Sequence, residues 1–186
     1  MSVYPTLPFP RGQTYGDGQL TLTDTTAKHL EGKRFRVPDT LHGTKGDVVL
    51  RVVKNDAGAD LTISKRVLKW STASEDDIGN RVDGWATASV HGKPIDDYYL
   101  GRKTTIPDDD LFYVVDEGPC DVLISTTTST AISAAGKPVQ VAAAGCVGQC
   151  ADNKISIGTA LEAKSTAALT AVAIYVHAGI ITNYNA

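Results

Sequence analysis

No apolar run in this chain approaches the ~20 residues that a membrane-spanning helix requires, so a helical membrane protein is not expected. Basic residues never gather into a stripe. The net charge is −3, and the densest basic cluster, Lys33-Arg34-Phe35-Arg36, is short enough to be the solvated edge of a strand. A protein that holds nucleic acid by neutralising phosphates needs far more than this. Cysteine is scarce and odd in number: Cys120, Cys146 and Cys150 are a poor basis for a secreted disulfide framework. The opening residues Met1-Ser2-Val3-Tyr4-Pro5 lack the charged start and continuous apolar core of a signal peptide, so synthesis in a cytoplasm is expected.

Residues equipped for chemistry are equally sparse. There is no G-x-S-x-G nucleophile elbow, no G-x-x-x-x-G-K-[ST] phosphate loop and no H-E-x-x-H zinc helix. His29, His42, His91 and His177 are scattered, and His42-Gly43 and His91-Gly92 read as turns. Cys146 and Cys150 stand in a C-x3-C spacing that Cys120 and His177 would have to complete for zinc. An Ala/Gly/Val context favours the plainer reading of small buried thiols. The acidic clusters Asp96-Asp97, Asp108-Asp109-Asp110 and Asp116-Glu117 lack the alternating pattern of a calcium loop and read as solvated turn charges. Neither an enzyme nor a cofactor nor a metal is expected.

What the chain does contain is strand after strand. Residues 3–18 carry Pro5, Pro8 and Pro10 among glycines, with Tyr4, Leu7, Phe9 and Tyr15 spaced between them. Proline fixes φ and removes a donor, so this is an extended arm rather than a helix or a central strand. Its apolar anchors suit either a groove on a neighbouring subunit or the surface of its own domain. Asp24 to Leu30 predicts one helical turn stopped by Gly32, and Arg34–Val37 and Asp47–Val53 predict strands. Leu61–Ser64 follows a turn-rich connector and predicts the second arm of a hairpin. Residues 71–80 (STASEDDIGN) predict a loop or the seam between two lobes. Beyond it come Val82–Val90 around Trp85, Leu111–Val115, and Asp121–Ile124 after a Gly118-Pro119 turn.

Residues 159–176 are rich enough in Ala and Leu for a helix. A helical face, however, also captures Lys164 and Ser165, whereas alternation sets Val172, Ile174 and Val176 against Ala171, Ala173 and Tyr175. Strand, turn at 164–166, strand is therefore expected, with the last strand buried on both sides. The organisation is mainly β: an extended arm (1–18), a β-rich N-terminal lobe (19–80) and a C-terminal body (81–186).

The segment from Gly136 to Gly179 also has a recurring grammar. A strand with a Gly start (Gly136-Lys137-Pro138-Val139-Gln140-Val141) leads to Ile157-Gly158-Thr159-Ala160-Leu161-Glu162, then to Val172-Ala173-Ile174-Tyr175-Val176 closed by Gly179. This resembles the capsid decoration, or cement, proteins of tailed bacteriophages, over residues 82–180 at most. It departs from them in having Lys-Ser-Thr-Ala-Ala after Glu162 where a glycine is expected. The N-terminal half has no counterpart. The resemblance implies a small β-barrel or β-tulip body that binds the outside of an assembled capsid. It also implies a homotrimer, a major capsid protein as partner, and no catalysis. Tyr4, Leu7, Phe9 and Tyr15 are the candidate capsid- or subunit-binding residues, because such anchors are aromatic and aliphatic groups rather than charges. The alternative is a phage fibre or other receptor- or carbohydrate-binding β module that stacks sugars on Trp70, Trp85, Tyr98 and Tyr99.

Overall fold

The computed structural model describes residues 15–16, 28–39, 42, 46–62, 64–87, 92–95, 105–126, 131–151, 154–166 and 168–181. The fold is mainly β, with twelve strands among the described residues: β1 (Tyr15–Gly16), β2 (Arg34–Pro38), β3 (Asp47–Asn55), β4 (Leu61–Thr62), β5 (Leu68–Trp70), β6 (Arg81–Trp85), β7 (Thr105–Ile106), β8 (Asp110–Leu123), β9 (Pro138–Val141), β10 (Val147–Gln149), β11 (Ser156–Ala160) and β12 (Ala171–Ile181). Ten of them form one sheet. Its main path runs β10-β9-β11-β12-β8-β3-β6-β5, with β1 added to β8 and β2 to β3, while β4 and β7 make a separate pair. The helical turn expected before Gly32 is a single 3-10 turn, Lys28–Leu30.

The organising element is β8. Gly118-Pro119, expected to be a turn between two strands, lies inside this one 14-residue strand. Val115 pairs with Leu50 and Glu117 with Val49, so Asp116 is the extra residue of a bulge. Gly118 then takes φ +112°, a value that few side-chain-bearing residues adopt. Bulge and glycine bend the strand without ending it. The insertion also switches the strand's parity: Leu111, Tyr113 and Val115 face the main core before the bulge, and Cys120, Val122 and Ile124 face it afterwards. Before the bend β8 pairs with β3; after it, with β12.

The C-terminal strands curl into a small barrel-like body. The far strand β10 returns to the end of β8 through a parallel bridge between Ile124 and Val147 and a 2.8 Å bond from Ser125 N to Val147 O. Val139, Val147, Ile157, Val172, Ile174 and Val176 fill its inside, in one cluster with Val48, Leu50 and Val52 of β3. A second cluster on the other face of β3 and β8 gathers Val53, Leu68, Val82, Ile95, Ile106, Phe112 and Val114. The sheet is continuous across residue 80, because Lys54 and Asn55 of β3 pair in parallel with Arg81 and Val82 of β6.

Two further expectations are corrected. β4 pairs with β7 rather than forming a hairpin with β3. The reason is local: β2, β6 and β8 occupy both edges of β3. In addition, the Asn55 amide donates to the carbonyls of Ala59, Ile106 and Pro107, which ties the turn after β3 to the strand β7. Residues 159–176 do form strand, turn, strand, but only one face of β12 is buried. Val172, Ile174 and Val176 are enclosed, while Tyr175 is exposed.

Candidate functional site

Of the candidate binding residues, Tyr4, Leu7 and Phe9 lie outside the described residues. Tyr15 lies in β1, whose backbone pairs with Leu111 and Asp110 of β8 in the same chain. The arm therefore returns to its own domain at this point.

The outward face of the barrel-like body presents the most coherent surface. Register places Thr159 of β11, Tyr175 of β12 and Pro119 of β8 side by side. The next row holds Ala173 and Asp121, with Leu161 adjoining through its N–H to the Ala173 carbonyl at 2.9 Å. Tyr175 and Leu161 are each 38% exposed. His177 extends the row. Its ring centroid is 6.3 Å from that of Tyr175, and its Nε2 lies 3.0 Å from Thr159 Oγ1. Burial, and then the charge of Lys93, pushes the His177 imidazole below its ordinary range, so the part of the row that reaches solvent, Tyr175-Thr159-His177, is uncharged at neutral pH, while Pro119 is buried at its end. Beside Tyr175 a polar notch of about 160 Å³ is lined by Arg36, Asp47, Val49 and Glu117.

Where β12 diverges from β8, the bulge aims Asp116 into a buried ionic hub. Its carboxylate, 1% exposed, lies 2.6 Å from Arg34 Nε, 3.3 Å from Arg51 Nε and 3.7 Å from Lys93 Nζ. The segment 92–95 fills the fork between the two strands, and Val115 N donates to Pro94 O. Lys93 Nζ donates to the carbonyls of Asp116 (2.7 Å), His177 (2.7 Å) and Ala178 (3.3 Å). Burial lowers the Lys93 ammonium from its ordinary range, and Asp116 opposes that shift. Here the expectation that Asp116 is a solvated turn charge is overturned: it is a buried structural anion. The available signal was its place at the end of the apolar run Leu111–Val115, where a charge inside a strand needs partners.

The same expectation fails at Asp110, which is buried at the start of β8, while Asp96 and Asp97 lie outside the described residues. Asp109 meets Lys54 at 2.7 Å, and Asp60 accepts the backbone N–H of Asp108. All three cysteines are buried free thiols. Cys120 belongs to the main core, and burial raises the Cys146 thiol above its ordinary range. Among the described residues, no group of three or more His, Cys, Asp or Glu is placed to hold a metal ion.

Trp70 and Trp85 pack against the second cluster instead of standing clear of the surface. Each faces a guanidinium, Arg51 at 5.8 Å and Arg66 at 5.9 Å from the ring centroid. Gly92 lies so close to the Trp70 ring that an added Cβ would fall 2.9 Å from it. Tyr98 and Tyr99 lie outside the described residues. A small cleft of about 60 Å³ lies beside Trp70, lined also by Lys93, Ile155 and His177.

No protein-family model matches the sequence, and no curated protein matches it. Among solved structures, the chain is similar to the head fiber gp8.5 N base of bacteriophage phi29. The TM-score is 0.44 and the sequence identity 16%, covering 75% of this chain and 99% of that one.

Proposed function

We propose that the protein is a structural virion component that binds the outside of an assembled phage capsid and stabilises the lattice. The observation that carries this reading is the arrangement of the three segments on which the resemblance to decoration proteins rests. They fold as β9, β11 and β12, hydrogen-bonded neighbours in a single barrel-like body. That body turns an uncharged row of side chains, Tyr175, Thr159 and His177, outward. A lattice-binding part needs such a surface more than it needs a cleft, because symmetric multivalent attachment multiplies weak contacts through effective concentration. Its partner would be a major capsid protein, and its working form a homotrimer. The proline-rich arm, with Tyr4, Leu7 and Phe9, would supply the anchors. The packing of Trp70 and Trp85 into the fold counts against the sugar-stacking alternative.

Deleting residues 1–14 keeps β1 in place and is expected to leave a folded chain whose oligomeric state, read by light scattering, is unchanged. Co-sedimentation with phage heads should fall at least tenfold. Binding at the full level would remove the arm from the mechanism, and failure of the intact chain to sediment with heads would remove the capsid.

A further inference from the structure

We propose that His42 is a pH-sensitive clasp that fastens the connection between β2 and β3 onto the second half of β8. Its ring is only 6% exposed and has a carboxylate at each nitrogen. Nδ1 lies 3.2 Å from Asp39 Oδ1, which also accepts the His42 backbone N–H at 3.1 Å. Nε2 lies 3.5 Å from Asp121 Oδ1, an ion-pair distance. The other oxygen of Asp121 takes the Lys65 ammonium at 2.6 Å.

A neutral imidazole has one N–H and one lone pair, so between two carboxylates it must turn the lone pair towards one of them. The imidazolium turns a proton to both. With the ring charged, the row Asp39, His42, Asp121, Lys65 alternates in sign and sums to zero. With the ring neutral, the row carries a net negative charge, and two carboxylates are left facing one imidazole. The Asp39 side chain is fully buried, so water does little to screen the change there.

The row joins three separate stretches of chain. The connection is closed at its base by Asp39 N donating to Gly46 O at 3.1 Å, and the Lys65 segment is stitched to β8 by Leu123 N donating to Lys65 O at 2.6 Å. In support, the Asp121 carboxyl is held well below the ordinary carboxylate range, first by the His42 ring and then by Lys65. The clasp borders the outward face, since Asp121 pairs with Ala173 beside Leu161.

The two ends of the clasp respond to pH in opposite directions. A histidine stabilised as imidazolium contributes fully below its unfolded value of about 6.5, and the contribution fades as pH rises through the folded value. The depressed Asp121 carboxyl contributes above about 3.9 and is lost only in stronger acid. The clasp is thus tightest in mildly acidic solution and loosens above neutrality.

The test is a ring-nitrogen NMR titration of the full chain from pH 5 to 9, with melting temperatures across the same range. One histidine, assigned to His42 by its loss in His42→Gln, should hold its proton above pH 7. The melting temperature should fall between pH 6 and 8.5 in the wild-type chain, and that part of the slope should vanish in His42→Gln. A His42 titration at or below 6.5, or an unchanged slope, overturns the proposal. Should His42→Gln not fold, Asp121→Asn keeps the ring and is expected to lower its midpoint by about one pH unit or more. An unmoved midpoint overturns the proposal equally.

Discussion

Replacing Asp116 with alanine is expected to lower the unfolding free energy by about 3 kcal/mol, the lower end of what breaking a buried ion pair costs. The loss comes less from the attraction removed than from the cations left behind. Arg34 is half exposed (51%) and turns to water, so its share is small. Arg51 and Lys93 cannot turn away in the same manner. Arg51 keeps a 2.8 Å bond to the Gly79 carbonyl, and Lys93 keeps its three carbonyls, which is why the figure is not larger.

In urea, the midpoint should shift with the m-value unchanged. The variant should regain part of its stability as pH is raised towards about 10, because the lowered Lys93 ammonium gives up its proton in the fold before it does so in the unfolded chain. Combining Asp116→Ala with Lys93→Met should cost clearly less than the sum of the two single changes. A loss below about 1 kcal/mol would show that water reaches the hub and screens it as it does an ordinary surface pair.

The second large effect is expected at Gly158, the glycine of the segment Ile157 to Glu162. It sits mid-strand between Val139 of β9 and Val176 of β12, where the register with β12 shifts after Ser156. The Ser156 hydroxyl fills that irregularity, donating towards the carbonyls of Gly158 (2.8 Å) and Val139 (3.2 Å). A Cβ on residue 158 would press into the Tyr175 carbonyl, which is backbone and has no rotamer through which to retreat. Gly158→Ala should therefore cost about 3 kcal/mol, at the upper end of overpacking penalties. At roughly 2–4 °C per kcal/mol for a chain of this size, the melting temperature should fall by about 10 °C. Gly158→Val should prevent the barrel-like body from closing. Gly136→Ala is the control: it has open space around it but φ +83°, so it should lose only the backbone term of about 1 kcal/mol. Equal losses at the two positions would mean that the close approach of β11 to β12 is not what the glycine serves.

The strands that carry their own pattern were legible in the sequence. Asp47–Val53 is β-branched enough to declare β3, and the alternation of Val172, Ile174 and Val176 declared β12 over the helix that its alanines favour. Pairing was harder to read, because it depends on residues far apart in the chain. Nothing near Leu61 announces Ile106 as its partner, and the amide of Asn55 that ties the two regions together looks like any turn residue. Gly118-Pro119 misled for a related reason. The same dipeptide ends a strand in isolation, but here it bends one whose neighbours on both sides hold it extended. The ionic hub was least visible. Arg34 and Arg51 meet through the register of β2 with β3, but Asp116 and Lys93 join them only through the bulge in β8 and the fork between β8 and β12. Of the proposed anchors, the structure locates Tyr15 alone, through the backbone of β1.

The bent strand β8 also sets the order in which the molecule can form. Its first half must find β3, about sixty residues earlier, and its second half must find β12, about fifty later, while both halves feed one core. Local pairs such as β2–β3, β9–β10 and β11–β12 can close early, but none of them joins the two halves, so the long-range pairing of β8 should make folding slow. The N-terminal strands would wait, with their apolar faces uncovered, until β8 is threaded between them and the barrel-like body. A single shared strand thus makes the assembly of the two halves one event instead of two.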